Sequence, residues 1–139
     1  MEAVASWIVG ILMLTLPVDW TATKAAACRD VPVAQAPTKT MTQECMATFA
    51  RGESQLTVIV WTPQVARDGG PMASAENLKG RLLGKNVVVS RTSHFMGKPQ
   101  EVLVTALTLE NPRAHVLIHA QKITTQDFQA VLDRVKLAK

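Results

Sequence analysis

At 139 residues the chain is sized for one hydrophobic core, and a second domain is not expected. Hydrophobic residues make up 47% and charged residues 19%, which excludes an intrinsically disordered chain, since disorder needs low hydrophobicity and high charge. The net charge of +4 comes from Lys and Arg spread along the chain without a contiguous run, so no nucleic-acid footprint is expected, and an acidic partner or an anionic membrane surface fits the charge better.

The uncharged run from Ala3 to Leu16, closed by Pro17 and Asp19, has the length of a signal h-region and is short for a membrane span. Glu2 is the one charge before it, where a signal usually carries Lys or Arg. The small residues Ala25, Ala26 and Ala27 supply a cleavage site, so residues 1–27 read as a signal peptide, or else as a membrane anchor. The expectation is an exported protein, periplasmic or secreted.

Cys28 follows that site and admits three readings, of which the plainest leaves Cys28 and Cys45 as two unpaired buried thiols. It could be the lipidated cysteine of a membrane-attached lipoprotein, although Ala25 stands where such signals place a branched residue. Alternatively it pairs in a disulfide with Cys45, the other cysteine of an exported chain, and fastens the segment around Pro32 and Pro37 to the domain. Residues 28–40 then read as a Pro-containing linker, and residues 41–139 as the folded domain.

Within that domain, Met41 to Phe49 alternates as a half-buried strand, Arg51 to Ser54 turns, and Leu56 to Trp61 is a β-branched, strongly apolar second strand. Thr62 to Met72 holds two prolines and two glycines and reads as a loop. Ser74 caps a predicted helix from Ala75 to Leu83, with Leu78, Leu82 and Leu83 at helical spacing and Gly84 as its stop. Asn86 to Ser90 is the next strand, Phe95 to Pro99 a turn, and Gln100 to Leu109 and Ala114 to Gln121 form a hairpin. Thr124 caps a closing helix with Phe128, Val131, Leu132 and Val135 as its apolar stripe.

The predicted order is β-β-α-β-β-β-α, an α+β domain with an antiparallel sheet of about five strands and two helices packed on one face. That order, with its closing hairpin and C-terminal helix over residues 41–137, resembles the PsbP-like fold, which includes extrinsic photosystem proteins and exported bacterial relatives. The resemblance implies an α+β sandwich and rests on element order, so it transfers no functional residue.

Candidates for chemistry are sparse. His115 and His119 are four apart, but in a strand they stand ~13 Å from each other, too far to share a metal ion. His94 beside Ser93 sits in a turn without the strand-to-helix elbow that presents a nucleophile. No carboxylate pair lies in an apolar run, and neither glycine cluster has P-loop spacing. No catalytic residue, metal or cofactor is therefore assigned. Phe95 and Met96, at the tip of a Gly/Pro turn, are candidates for contact with a partner. The functional expectation is a non-enzymatic exported protein that binds a protein partner or assists an envelope assembly. The alternatives are a small hydrolase using a histidine base and a lipoprotein attached through Cys28.

Overall fold

A computed structural model describes residues 3–32, 41–62, 76–95, 98–111 and 113–138. Among them the chain forms ten strands and one helix. The strands are β1 (Val4–Val9), β2 (Leu12–Pro17), β3 (Thr21–Pro32), β4 (Met41–Arg51), β5 (Ser54–Thr62), β6 (Glu76–Leu82), β7 (Lys85–Phe95), β8 (Lys98–Glu110), β9 (Arg113–Gln121) and β10 (Val135–Leu137). The helix is α1 (Thr125–Leu132). They build two antiparallel sheets, a large one in the order β3-β4-β5-β9-β8-β7-β6 and a small one in the order β1-β2-β10.

The α+β expectation, with five strands and two helices, is corrected by this architecture: the protein is mostly β. The expected helix from Ala75 to Leu83 is instead strand β6, paired with β7 from Glu76↔Arg91 to Leu82↔Lys85. Two features tip the balance. Leu83 and Gly84 both take positive φ, 52° and 75°, the pattern of a type I′ turn, so the glycine that reads as a helix stop closes a two-residue hairpin. Gly80, unfavourable inside a helix, is required in the strand because a Cβ there would stand 2.7 Å from Val89 Cγ2. Without that helix the element order behind the PsbP-like resemblance is lost.

Residues 4–17 pair from Val4↔Pro17 to Val9↔Leu12 as a hairpin turning at Gly10 (φ 60°). Its alternation is strict: Leu12, Leu14 and Leu16 have 0% exposure, while Met13, Thr15 and Pro17 between them are half-buried. The inward residues meet β4 and β5. Trp7 packs edge-on against Phe49 at 5.1 Å between ring centroids, and Gly10 lies against Cys45 and Val60. The stretch with the length of a signal core is thus, in the fold, half of the cover over the large sheet.

The other half is α1. Thr124 Oγ1 accepts from Asp127 N at 3.1 Å, so the N-cap read in the sequence is present, and Phe128, Val131 and Leu132 are buried. Val135 of the expected stripe lies beyond the helix, in β10, opposite Leu14. One continuous core joins the inward residues of both sheets and the helix. Five further expected elements recur as strands, namely β4, β5, β7, β8 and β9. The segment Thr62 to Met72 falls, after Thr62, outside the described residues, as do residues 33–40.

The two ends of the large sheet differ. At β6 the Gln129 carboxamide accepts from Arg81 N at 3.1 Å and donates to Arg81 O at 2.9 Å, supplying the pair of bonds that a neighbouring strand would make. At β3 the described residues place no strand or helix beside the free edge.

Because Leu14 is fully buried in the hairpin, Leu14→Ala should lower the stability of the isolated protein by about 3 kcal/mol, measured by denaturant unfolding. A residue in a segment removed on export would leave the stability of the mature protein unchanged.

Candidate functional site

Most of the sequence-derived candidates converge on the face of the large sheet turned away from the core. Side chains alternate across a strand, so Ala114, Val116, Ile118 and Ala120 of β9 face the core while His115, Leu117, His119 and Gln121 face outward. Both histidines are therefore on one strand and one face, but in separate cross-strand rows.

The first row runs across five strands in register: Arg29 on β3, Glu44 on β4, Trp61 on β5, His115 on β9 and Thr108 on β8. Arg29 Nε and Nη2 both donate to Glu44 Oε1, at 3.1 and 3.0 Å, and Trp61 Nε1 donates to Glu44 Oε2 at 2.9 Å. The Trp61 and His115 rings lie 5.7 Å apart, and Thr108 Oγ1 is 3.0 Å from His115 Nδ1. Glu44, whose side chain is 17% exposed, is thus held at both oxygens, which gives it a structural role rather than that of a free acid or base.

Below this row Met46, Ile59 and Leu117 form an apolar stripe, and Val31, on the other side of the row, packs against the same cluster. Beyond it Phe95 packs with Val102 and Val104, and its ring lies 4.8 Å from that of His119. Phe95, a candidate partner contact, thus folds back onto the sheet as the last residue of β7. Its backbone oxygen accepts from Gln100 Nε2 at 3.1 Å. Met96 and the side chain of His94 lie outside the described residues. Burial lowers the pKa of His119, because the surroundings solvate the imidazolium less well than water does.

At the edge of the same sheet Cys28 and Cys45 are bonded, with Cα atoms 4.0 Å apart, and face each other directly across β3 and β4. That spacing belongs to a pair that exchanges no backbone hydrogen bonds, so the N–H and C=O of Cys28, and of Asp30 two residues on, point away from β4 toward the open edge. The disulfide points to an oxidising, non-cytoplasmic compartment. With its sulfur in this bond, Cys28 has no thiol to acylate. Among the described residues no helix is long and apolar enough to cross a membrane, and no group of three His, Cys, Asp or Glu residues is placed to hold a metal ion.

Beside this edge opens a groove of about 300 Å³ between Lys24 and Arg29, floored by Ala27, Met46, Ala47 and Thr48. A second hollow of about 410 Å³ lies at the ends of β7, β8 and β9, where Arg91 and Lys122 are offset by Glu101. Arg91 is moreover paired with Glu76 at 3.1 Å. The β3 groove likewise carries one acid, Glu44, which is bonded to Arg29.

Arg29, Glu44 and Lys24 were not legible as site residues. A cross-strand Cys28–Cys45 pair implies the register that sets Arg29 opposite Glu44, but only if residues 21–32 are first read as a strand. No protein-family model matches the chain, and comparisons with curated proteins and with solved structures return no match.

Two outcomes follow. Replacing both cysteines by alanine should cost about 3 kcal/mol of stability, by denaturant unfolding, because the bond closes a short loop in the unfolded chain and fixes an edge strand in the folded one. For His119 the unfolded imidazole titrates near 6.5 and the folded one below it. Between those values the unfolded chain binds the extra proton. Stability is therefore undiminished above about pH 6.5 and falls as the pH drops toward the folded pKa. Melting temperatures recorded from pH 8 to 5 should fall less steeply in His119→Gln. Equal slopes would remove His119 as the cause.

Proposed function

We propose that this protein is an exported, disulfide-stabilised β domain that binds another protein, and that strand β3 is its binding edge. The observation that carries the reading is the opposite treatment of the two sheet ends. β6 is closed at Arg81 by the Gln129 amide, whereas β3 presents the N–H and C=O of Cys28 and Asp30 outward and is braced from behind by the disulfide and by the Arg29–Glu44 ion pair. Free strand edges are templates for pairing, and proteins commonly blunt the edges they do not use. A strand whose main chain is exposed and whose position is fixed suits recognition by strand addition, in which backbone bonds supply affinity and side-chain grooves supply selectivity.

Export to the periplasm or beyond is part of the proposal and is supported by the disulfide. The hydrolase alternative draws less support: the ring contact given to His119 is the Phe95 ring, and His115 is wedged between Trp61 and Thr108. Attachment as a lipoprotein through Cys28 is incompatible with the same sulfur bridging to Cys45.

The proposal is tested by placing a photoreactive amino acid at Ala26 of β3 and, separately, at Lys79 of β6, and irradiating the native envelope and secreted fractions. A discrete cross-linked polypeptide is expected from position 26 and not from position 79. Equal products from both positions, or none from 26, would overturn the reading.

A further inference from the structure

The chemistry of the β3 groove narrows the partner. One rim is the cation Lys24, and the other is the Arg29–Glu44 ion pair with its guanidinium outermost. Lys24 is exposed and has no ion pair among the described residues, and the Arg29 side chain is 73% exposed although it is bonded to Glu44. Glu44 occupies the Nε side of the guanidinium, which leaves its remaining N–H donors directed to solvent. The floor between the rims is small and apolar, built from Ala27, Met46 and Ala47.

The spacing of the rims is set by the neighbouring strand. Lys24 is in register with Thr48 and Arg29 with Glu44, four positions apart on β4, and the register shift between Lys24 and Ala27 absorbs the extra residue on β3. Four positions of an extended strand span ~13 Å, which is also the distance between side chains i and i+4 on one face of an incoming strand. The apolar floor lies midway, opposite position i+2.

Resting on the reading of β3 as a binding edge, we infer that the groove takes an extended acidic peptide segment of a partner protein, with carboxylates at i and i+4 and an apolar side chain at i+2. The carboxylates meet Lys24 and Arg29, the apolar residue meets Met46, and the backbone pairs with Cys28 and Asp30. Pro32, which has no N–H, ends the pairing on one side and the bulge near Lys24 ends it on the other. The recognised segment is accordingly short.

The probe is a fluorescently labelled peptide containing Glu-Thr-Val-Thr-Glu, titrated with the oxidised full chain and followed by anisotropy. Saturable binding is expected, weakened about ten-fold or more by Lys24→Glu, left unchanged by Lys79→Glu on β6, and reduced at about 0.3 M salt. A peptide with Lys at both acidic positions should not bind. Lys24 is exposed and unpaired, so Lys24→Glu should fold like the parent, and a matching thermal melt confirms it. Arg29→Ala serves as a second variant. Equal binding of the Lys peptide, indifference to Lys24→Glu, absence of binding, or self-association of the chain through β3 in sedimentation would each overturn the inference. A partner cross-linked at Ala26 whose captured segment is not acidic would overturn it while leaving the binding edge itself intact.

Discussion

One face of the seven-stranded sheet carries the core, and the other elements are arranged by the need to cover it. Leu56, Val58 and Val60 on β5 and Val116 and Ile118 on β9 are almost wholly removed from water, at about 1.5 to 3 kcal/mol for each large side chain. No single element covers that width. The β1–β2 hairpin lies over β4 and β5, α1 covers the β6–β7 end, and β10 pairs with β2 to join the two lids into one layer. The burial of Leu12, Leu14 and Leu16 therefore depends on the C-terminal strand as much as on the hairpin itself.

The outward face follows from the same constraint. Alternation along each strand forces half of its residues outward, and on this face they form rows in which polar groups satisfy one another, as Arg29, Glu44 and Trp61 do, separated by the apolar stripe of Met46, Ile59 and Leu117. The disulfide and the ion pair act on adjacent rungs of β3 and on its two opposite faces. Together they hold an edge strand that, among the described residues, pairs with a strand on one side only.

Strands with a clean alternation or a β-branched run were legible in the sequence, which is why β4, β5, β7, β8 and β9 were expected where they occur. The closing helix was legible from the Thr124 cap and the Phe128, Val131, Leu132 spacing. Two stretches conceal their strands for physical reasons. In residues 4–17 the outward positions Ile8 and Met13 are apolar too, so the alternation disappears into a continuous hydrophobic run, and only Gly10 marks the turn. In residues 75–83 Leu78 and Leu82 satisfy the helical and the strand period alike, and Gly84 serves equally as a helix stop and as a hairpin corner. The site was the least legible part, because Lys24 and Arg29 acquire their relation to Glu44 and Thr48 only once residues 21–32 are known to be a strand. No local pattern encodes such a long-range pairing.

The Gln129 amide on Arg81 has a further consequence. A sheet with two open ends can add copies of itself without limit, since each added edge offers a new one. Here the Gln129 carboxamide occupies the outward N–H and C=O of Arg81, so a strand approaching β6 finds those two groups already bonded. The carboxamide of one glutamine on a short helix thus works against edge-to-edge stacking at β6.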